Sequence, residues 1–299
     1  MKNRFLVLFL SLLWIMQMHS QYLYLLDKDT KSPVSYVTIE LPNGDRYYSD
    51  ENGKLGIPNG IAFLKCSHIC YKDTIIYIKQ LKGNKVYLTQ YAHKLGNITI
   101  SAKNKKIKTK ELGYTNGKSL HSHGGKNGFM MAVYIPADAN KNKNEYIQAI
   151  TADIVYDDKM KLKGGNVYTG EVRFDLRKPD TAQGIMPGNI SLIGGGKIYN
   201  GKKKTGKKII KLDYPIIFPK EGLFVIIEWI YPYKMNDKDL LDPHIRTTAS
   251  SNKDNTWILW KSNNWKWTPE CQDKGILHIR NTYLKGKILN AKLGVIISE

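Results

Sequence analysis

Short runs of alternating apolar and polar residues recur along the chain about every 8–12 residues, with turn-forming residues between them. Residues 35–41 alternate in this way and precede Asn43-Gly44, a dipeptide that tolerates the positive φ angles of a hairpin turn. Asp50-Glu51-Asn52-Gly53 is the next turn sequence. This spacing is typical of β-sandwiches, and 299 residues exceed the usual size of one domain. We therefore predict an all-β chain with two β-sandwich domains.

The composition of residues 1–20 predicts an export signal. Lys2 and Arg4 precede an apolar run, residues 5–16, which is shorter than the roughly 20 residues that a membrane-spanning helix needs. The small residue Ser20 follows, as expected before a signal-peptide cleavage site. The alternative is a buried first helix. Since no later run reaches spanning length, we expect no transmembrane span and a location in the periplasm, on the outer membrane or outside the cell.

The formal net charge is +20, and 40 of the 46 basic residues are lysines. Proteins that read bases or phosphates specifically favour arginine, because its guanidinium group makes two parallel hydrogen bonds. We therefore expect no specific nucleic-acid partner. A lysine-rich surface fits loose attraction to anionic polysaccharides or lipid surfaces better.

Three segments within residues 21–102 form a recognisable set: Ser32-Pro33-Val34-Ser35-Tyr36-Val37-Thr38-Ile39, Asp50-Glu51-Asn52-Gly53-Lys54-Leu55 and Cys70-Tyr71-Lys72-Asp73. Together they resemble the carboxypeptidase regulatory-like domain family, although Cys70 stands where the family has glycine. The resemblance implies a transthyretin-like β-sandwich that is generally non-catalytic. It also implies a module that precedes other domains in envelope proteins of Gram-negative bacteria.

Residues 103–110 contain five lysines and predict a solvated linker or, alternatively, an anion-binding arm. The region that follows, residues 111–299, is predicted to form a second, jelly-roll-like sandwich. Residues 146–156 have a spacing that also fits a helix, but their isoleucine, valine and tyrosine content favours a strand. The region resembles the C-terminal half of secreted proteins that have the same N-terminal domain. This resemblance implies no activity, and it covers residues 172–176, 186–188, 211–216 and 223–230.

Glu228 interrupts an apolar strand, and Arg173 is placed equally oddly in another. Burying either charge alone is costly, so we predict that Arg173 and Glu228 form a structural ion pair through an arginine–carboxylate fork. A ligand pocket and catalysis are the alternatives. A glycoside hydrolase would need a second carboxylate, for which Asp153, Asp175 and Asp213 are available.

Four tryptophans crowd into one predicted hairpin: Trp257, Trp260, Trp265 and Trp267. Trp265 and Trp267 share one face of the predicted strand, so we predict them as a candidate binding platform for sugar rings or a protein partner. Core packing is the alternative. Large exposed indole surfaces would favour the platform, and deep burial would exclude it.

Other polar motifs give weaker signals. His121-Ser122-His123-Gly124-Gly125 is predicted to be a glycine loop, and Cys66 and Cys70 are predicted to be small buried side chains. Residues 201–208 approach a phosphate-binding loop, but a strand rather than a helix is predicted after them. The chain contains no His-Glu-x-x-His and no Gly-x-Ser-x-Gly sequence. We therefore expect no metal site and no cofactor.

These features predict an exported, non-catalytic protein of the cell envelope. We expect it to be a structural module or to bind a glycan or a protein partner. The alternative is a glycoside hydrolase or another hydrolase that uses carboxylates of the second sandwich.

Overall fold

A computed structural model describes residues 22–68, 71–90, 108–125, 128–138, 145–156, 170–182, 184–199, 204–230, 243–249, 253–272 and 287–298. These residues fall into two compact units, one up to Gln90 and one from Lys108 onwards. The predicted signal peptide and most of the predicted linker lie outside the described residues. Thr109 and Lys110, the last two residues of that linker, belong to the first strand of the second unit.

The first unit is built from two sheets that enclose one apolar core. Sheet A has the strand order β4-β1-β7, and sheet B has the order β3-β2-β5-β6. Buried and solvent-facing residues alternate along β1 and β7, the pattern of a sheet with one face on a core. The strands are β1 (Tyr22–Asp27), β2 (Thr38–Glu40), β3 (Arg46–Tyr48), β4 (Lys54–Gly56), β5 (Phe63–His68), β6 (Tyr71–Tyr77) and β7 (Lys85–Leu88).

Asp27 ends β1 with an inward-facing, buried carboxylate. One carboxylate oxygen accepts hydrogen bonds from the amides of Asp29 and Thr30, and the other accepts from the Tyr71 hydroxyl and the Gln90 side chain. The Thr30 amide and then the Tyr71 hydroxyl are the main groups that hold the pKa of Asp27 well below its ordinary value of 3.8. This carboxylate therefore ties the turn after β1 to the start of β6 and to the segment after β7.

The second unit also consists of two sheets around one core. Sheet C has the order β20-β17-β11-β21-β8, with β15 paired to β11 and β9 paired to β17. Sheet D has the order β13-β12-β16-β10-β18-β19, with β14 paired to β12. The strands are β8 (Thr109–Gly113), β9 (Ser119–Gly124), β10 (Met130–Ile135), β11 (Tyr146–Val155), β12 (Glu171–Asp180), β13 (Met186–Ser191), β14 (Lys197–Ile198), β15 (Gly206–Ile217), β16 (Leu223–Ile230), β17 (His244–Thr248), β18 (Thr256–Leu259), β19 (Thr268–Pro269), β20 (Asn290–Ala291) and β21 (Leu293–Ser298).

The structure confirms the all-β fold with sandwich-like units. The ambiguous segment at residues 146–156 is a strand, and a shift of pairing register between Ile147 and Ala149 explains why its apolar spacing also suits a helix. Several strands fall where no strand was predicted, among them β8, β9 and β17. The polar sequences of these three lack a clear alternation of apolar and polar residues, so pairing with neighbouring strands decides their conformation.

Candidate functional site

The outer face of sheet D points away from the core between sheets C and D, yet it is apolar and partly buried, which is unusual for a face directed towards solvent. Five of its residues form a second apolar cluster, separate from the main core: Met130, Ala132, Phe224, Ile226 and Leu259. Their neighbours along the same strands, such as Met131 and Val225, belong to the main core. The central strand β16 is therefore buried on both faces, consistent with its nearly continuous apolar sequence.

The structure brings Arg173 and Glu228 together on this outer face. They are directly opposite each other on β12 and β16. Nε and Nη2 of Arg173 lie 2.8 and 2.6 Å from the same carboxylate oxygen, Oε2 of Glu228. The Glu228 side chain is only 4% exposed and that of Arg173 13%. Two guanidinium nitrogens thus converge on one oxygen, in place of the two-oxygen fork expected from the sequence.

A second arginine–carboxylate pair lies beside the first. Asp175, opposite Ile226 in the sheet, accepts a hydrogen bond of 2.8 Å from Nε of Arg177. Its other carboxylate oxygen accepts hydrogen bonds from the Ser191 hydroxyl and from the backbone amide of Leu176. From the sequence, Asp175 was predicted only as a possible catalytic carboxylate. The alternation of arginine and aspartate along residues 173–177 was the signal for this second pair.

Gly196 allows the chain before β14 to pack against Arg173. A Cβ atom on Gly196 would lie 2.8 Å from Cγ of Arg173 and 2.8 Å from the carbonyl oxygen of Phe174. The residue also has a φ angle of +73°, which side chains other than glycine rarely adopt. Both the missing side chain and the backbone freedom of glycine are needed here, so this contact helps to hold the arginine in place.

The tryptophans lie in the predicted hairpin, formed by β18 and β19, but Trp260, Trp265 and Trp267 belong to its connecting segment and not to a strand. A 3₁₀ turn at Lys261–Asn263, the capped turn, ends with hydrogen bonds from the amide of Asn264 to the carbonyl of Lys261 and from the amide of Trp265 to the carbonyl of Trp260. This is the Schellman pattern of a helix end, with Asn264 in the left-handed region at φ +56°. The pattern commonly includes an apolar contact between its ends, and the rings of Trp260 and Trp265 provide it at 5.9 Å.

Trp265 and Trp267 are both half-buried, so they have neither the large exposed indole surfaces expected of a platform nor the deep burial expected of core residues. Both pack against the apolar cluster of the outer face, as Trp257 does. Trp265 has a structural role in the capped turn, which accounts for part of its burial. Trp267 lies outside that turn, just before β19, and is the better candidate of the two for contact with a ligand.

The indoles and the arginine–carboxylate pairs occupy opposite ends of the same outer face. The pairs lie on β12 and β16, whereas Trp257 belongs to β18 and the capped turn follows that strand. Three strand spacings separate β12 from β18, a distance of about 14 Å. An extended ligand could therefore contact aromatic surface at one end and charged hydrogen-bonding groups at the other.

The histidine motif forms strand β9, and the prediction of a glycine loop was wrong because this edge pairs with β17. His121 and His123 lie with their rings 4.9 Å apart on the inner side of the sheet. Nε2 of His123 is 3.3 Å from Oε1 of Glu270, which follows the last strand of sheet D. Burial, and then the neighbouring His123 and His244, lower the pKa of His121 below its ordinary value of 6.5. Within the described residues no group of three His, Cys, Asp or Glu side chains is placed to hold a metal ion.

The remaining candidate residues are dispersed. Asp153 lies in sheet C, bound to Arg246 and Lys292, and Asp213 lies on β15, bound to Lys197. Of the three aspartates considered for hydrolysis, only Asp175 shares a face with Glu228. Cys66 is a buried thiol whose pKa is raised to about 12, chiefly by burial. Cys70 and the side chain of Cys271 lie outside the described residues.

No protein-family model, curated protein or solved structure matches the chain. The resemblance to the carboxypeptidase regulatory-like domain family therefore stays a prediction. In the part of the chain that the structure describes, no helix has the length and apolar character to cross a membrane.

Proposed function

We propose that the protein is an exported, non-catalytic binding module of the cell envelope, and that its second unit binds a glycan on the outer face of sheet D. Residues 1–20, with their short apolar run, support export. The resemblance at residues 21–102 supports a transthyretin-like spacer or interaction module as the first unit, since that unit is a β-sandwich.

The half-exposed indoles of the outer face carry the proposal for the second unit. Aromatic rings provide apolar surface against which the C–H faces of sugar rings can pack. Trp257, Trp265 and Trp267 surround an apolar cluster that excludes water from below. At the other end of the face, the half-buried Arg173 and Arg177 offer donors for hydroxyl groups, whereas their carboxylate partners are buried. A protein partner is the other occupant considered, and it is favoured if no glycan binds in the experiment below.

The same geometry supports a binding role over hydrolysis. A general acid must exchange its proton with the substrate, so its carboxyl group has to be accessible to the reacting bond. Glu228 and Asp175 are both buried and both held by an arginine. Buried arginine–carboxylate pairs of this kind are suited to holding the side chains of the outer face of sheet D in one arrangement.

The test is a glycan array at low salt with the full chain and the variant Trp267→Ala. We expect binding to at least one class of glycan and a loss of tenfold or more in Trp267→Ala, the effect of removing a central aromatic contact. Tyr214→Ala is the matched control, because Tyr214 is an exposed aromatic residue on β15 of sheet C. The proposal fails if no glycan binds, or if the two variants lose affinity equally.

A further inference from the structure

The outer face of sheet A, in the first unit, combines tyrosines and lysines. Buried and outward positions alternate strictly along β1 and β7, so the outward side chains can be assigned from the burial pattern. We call these residues, together with Lys31 from the turn after β1, the tyrosine–lysine face: Tyr22, Tyr24, Leu26, Lys31, Lys54, Lys85 and Tyr87. All are exposed or half-buried.

The strand register places a lysine on each side of the central tyrosine. Tyr24 is opposite Lys54 of β4 on one side and opposite Lys85 of β7 on the other. Two strand spacings separate these lysines, a distance of about 10 Å. The face therefore presents two cations across its width, with aromatic surface between them.

Two lysines of the face are held over tyrosine rings. Nζ of Lys54 lies 4.1 Å from the ring centroid of Tyr22, and Nζ of Lys31 lies 4.6 Å from that of Tyr87. Attraction between an ammonium group and an aromatic ring limits the motion of an otherwise flexible side chain. The turn that carries Lys31 is itself anchored by the amide of Lys31, which donates to the carbonyl of Asp27. The cations are thus positioned before any ligand binds.

The charge of this face is not balanced by acidic residues. The outward positions of β1, β4 and β7 carry lysine, tyrosine, leucine or glycine and no aspartate or glutamate. The outer face of sheet B differs, because Arg46 there forms an ion pair with Glu40, which also lies opposite Lys65. Of the two sheets of the first unit, sheet A is therefore the one whose described outward strand positions carry lysines and no carboxylates.

We propose that the tyrosine–lysine face binds an acidic polysaccharide, whose carboxylates pair with the lysines while its sugar rings lie over Tyr24, between Lys54 and Lys85. Single-stranded nucleic acid needs open aromatic faces on which bases stack, but lysine ammonium groups occupy the faces of Tyr22 and Tyr87. Insertion into a lipid surface needs protruding aliphatic side chains, and the face has one, Leu26, which is half-buried. This site lies in the first unit and does not depend on the glycan site proposed for the second.

The test measures binding of polygalacturonate to the full chain. The double variant Lys54→Gln/Lys85→Gln is expected to bind roughly fivefold to tenfold more weakly, the size of effect expected from losing two exposed ion pairs. Binding of the unmodified chain should also weaken steeply as salt is raised. Lys65→Gln/Lys79→Gln is the matched control, since it removes the same charge from exposed lysines elsewhere in the first unit. Equal losses in both variants, or no binding of polygalacturonate, would overturn the proposal.

Aromatic variants separate the acidic polysaccharide from other polyanions. Tyr87 and Tyr77 are 45% and 51% exposed, so Tyr87→Ala and Tyr77→Ala form a matched pair on opposite sheets. Only Tyr87→Ala should weaken binding of polygalacturonate, because the Tyr87 ring holds Lys31 in place on the face. Tighter binding of an oligothymidylate or of phosphatidylglycerol vesicles than of polygalacturonate, with the same dependence on Tyr87, assigns the face to nucleic acid or lipid and overturns the proposal. Failure of the Trp267→Ala experiment leaves this result unaffected, because the variants are in different units.

Discussion

The two outer faces of the second unit flank the same core, yet they differ in chemistry. The outer face of sheet C carries ion-paired polar residues, including Asp153 with Lys292 and Glu111 with Lys207. The outer face of sheet D carries a buried apolar cluster, half-buried indoles and two buried arginine–carboxylate pairs. The outer face of sheet C is thus polar, with some of its ion-paired residues buried, whereas sheet D has buried apolar side chains on both faces.

This difference shows where the second unit has apolar surface beyond what its core requires. A stable sandwich needs only its inner faces to be apolar, as sheet C demonstrates. The additional cluster on sheet D packs against the indoles of the capped tryptophan turn and shares strand β16 with Glu228. For that reason we locate the proposed glycan site on sheet D, and the following variants test the contrast between the two faces.

The largest effect is expected for Glu228→Gln. Removing one partner of a buried ion pair leaves the other charge uncompensated, which costs about 3–5 kcal/mol in the free energy of unfolding. Asp153→Asn on sheet C should cost less, about 1–3 kcal/mol, because Lys292 keeps its hydrogen bonds to the carbonyl of Gly117 and the hydroxyl of Ser119. Urea unfolding followed by tryptophan fluorescence reports on the second unit, since five of the six tryptophans lie there and the sixth is Trp14. A larger loss of unfolding free energy for Asp153→Asn than for Glu228→Gln would contradict the difference proposed between the outer faces of sheets C and D.

The same substitution on the two faces should give very different results. Ile226 on sheet D is 1% exposed, whereas Ile209 on sheet C is 55% exposed. Ile226→Thr removes buried apolar surface and introduces a hydroxyl group, so we expect a loss of about 2–4 kcal/mol. Ile209→Thr keeps a β-branched residue at an exposed position and should change stability by less than about 0.5 kcal/mol. Comparable losses in urea unfolding would mean that sheet D is not covered as described.

Alanine substitutions at two glycines test whether the close packing of the chain against Arg173 contributes to stability. Gly194→Ala meets no atom within 4 Å and should cost only the strain of a positive φ angle, about 1–2 kcal/mol. Gly196→Ala adds contacts of 2.8 Å with Arg173 and Phe174, so its cost should be higher, about 2–3 kcal/mol. If thermal unfolding gives the same loss for both, the close approach to Arg173 contributes nothing to stability.

The smallest effect is the pH dependence that comes from His121. Its pKa is lowered in the folded protein, so the unfolded chain binds more protons as the pH falls through 6.5. The second unit should therefore lose stability gradually below about pH 6.5, and His121→Gln should flatten this slope. The first unit should hold its stability further into acid, because Asp27 has a lowered pKa and that stabilisation is lost only as the pH falls below 3.8. An unchanged slope in His121→Gln would exclude His121 as the cause.

Part of the candidate site was predictable from single strands. An isolated charge in an apolar strand needs a partner, and this rule selected both Arg173 and Glu228 even though 55 residues separate them. The tryptophan platform was predicted less well, because strand periodicity was assumed where the chain forms a turn. Asn264, a residue that tolerates positive φ, followed the short polar stretch after Trp260 and was the local signal for that turn.

The sequence by itself determined the all-β fold, since alternation and turn residues act locally, within a few positions of each other. Only the tertiary structure decided which apolar side of β16 faces the core and which forms the outer cluster. Both sides of that strand are apolar, so the choice depends on pairing with β10 and β12, which are distant in the chain. The same long-range pairing made β9 a strand and placed lysines on both sides of Tyr24. Register between distant strands follows from the packing of the whole unit, and no short stretch of sequence contains it.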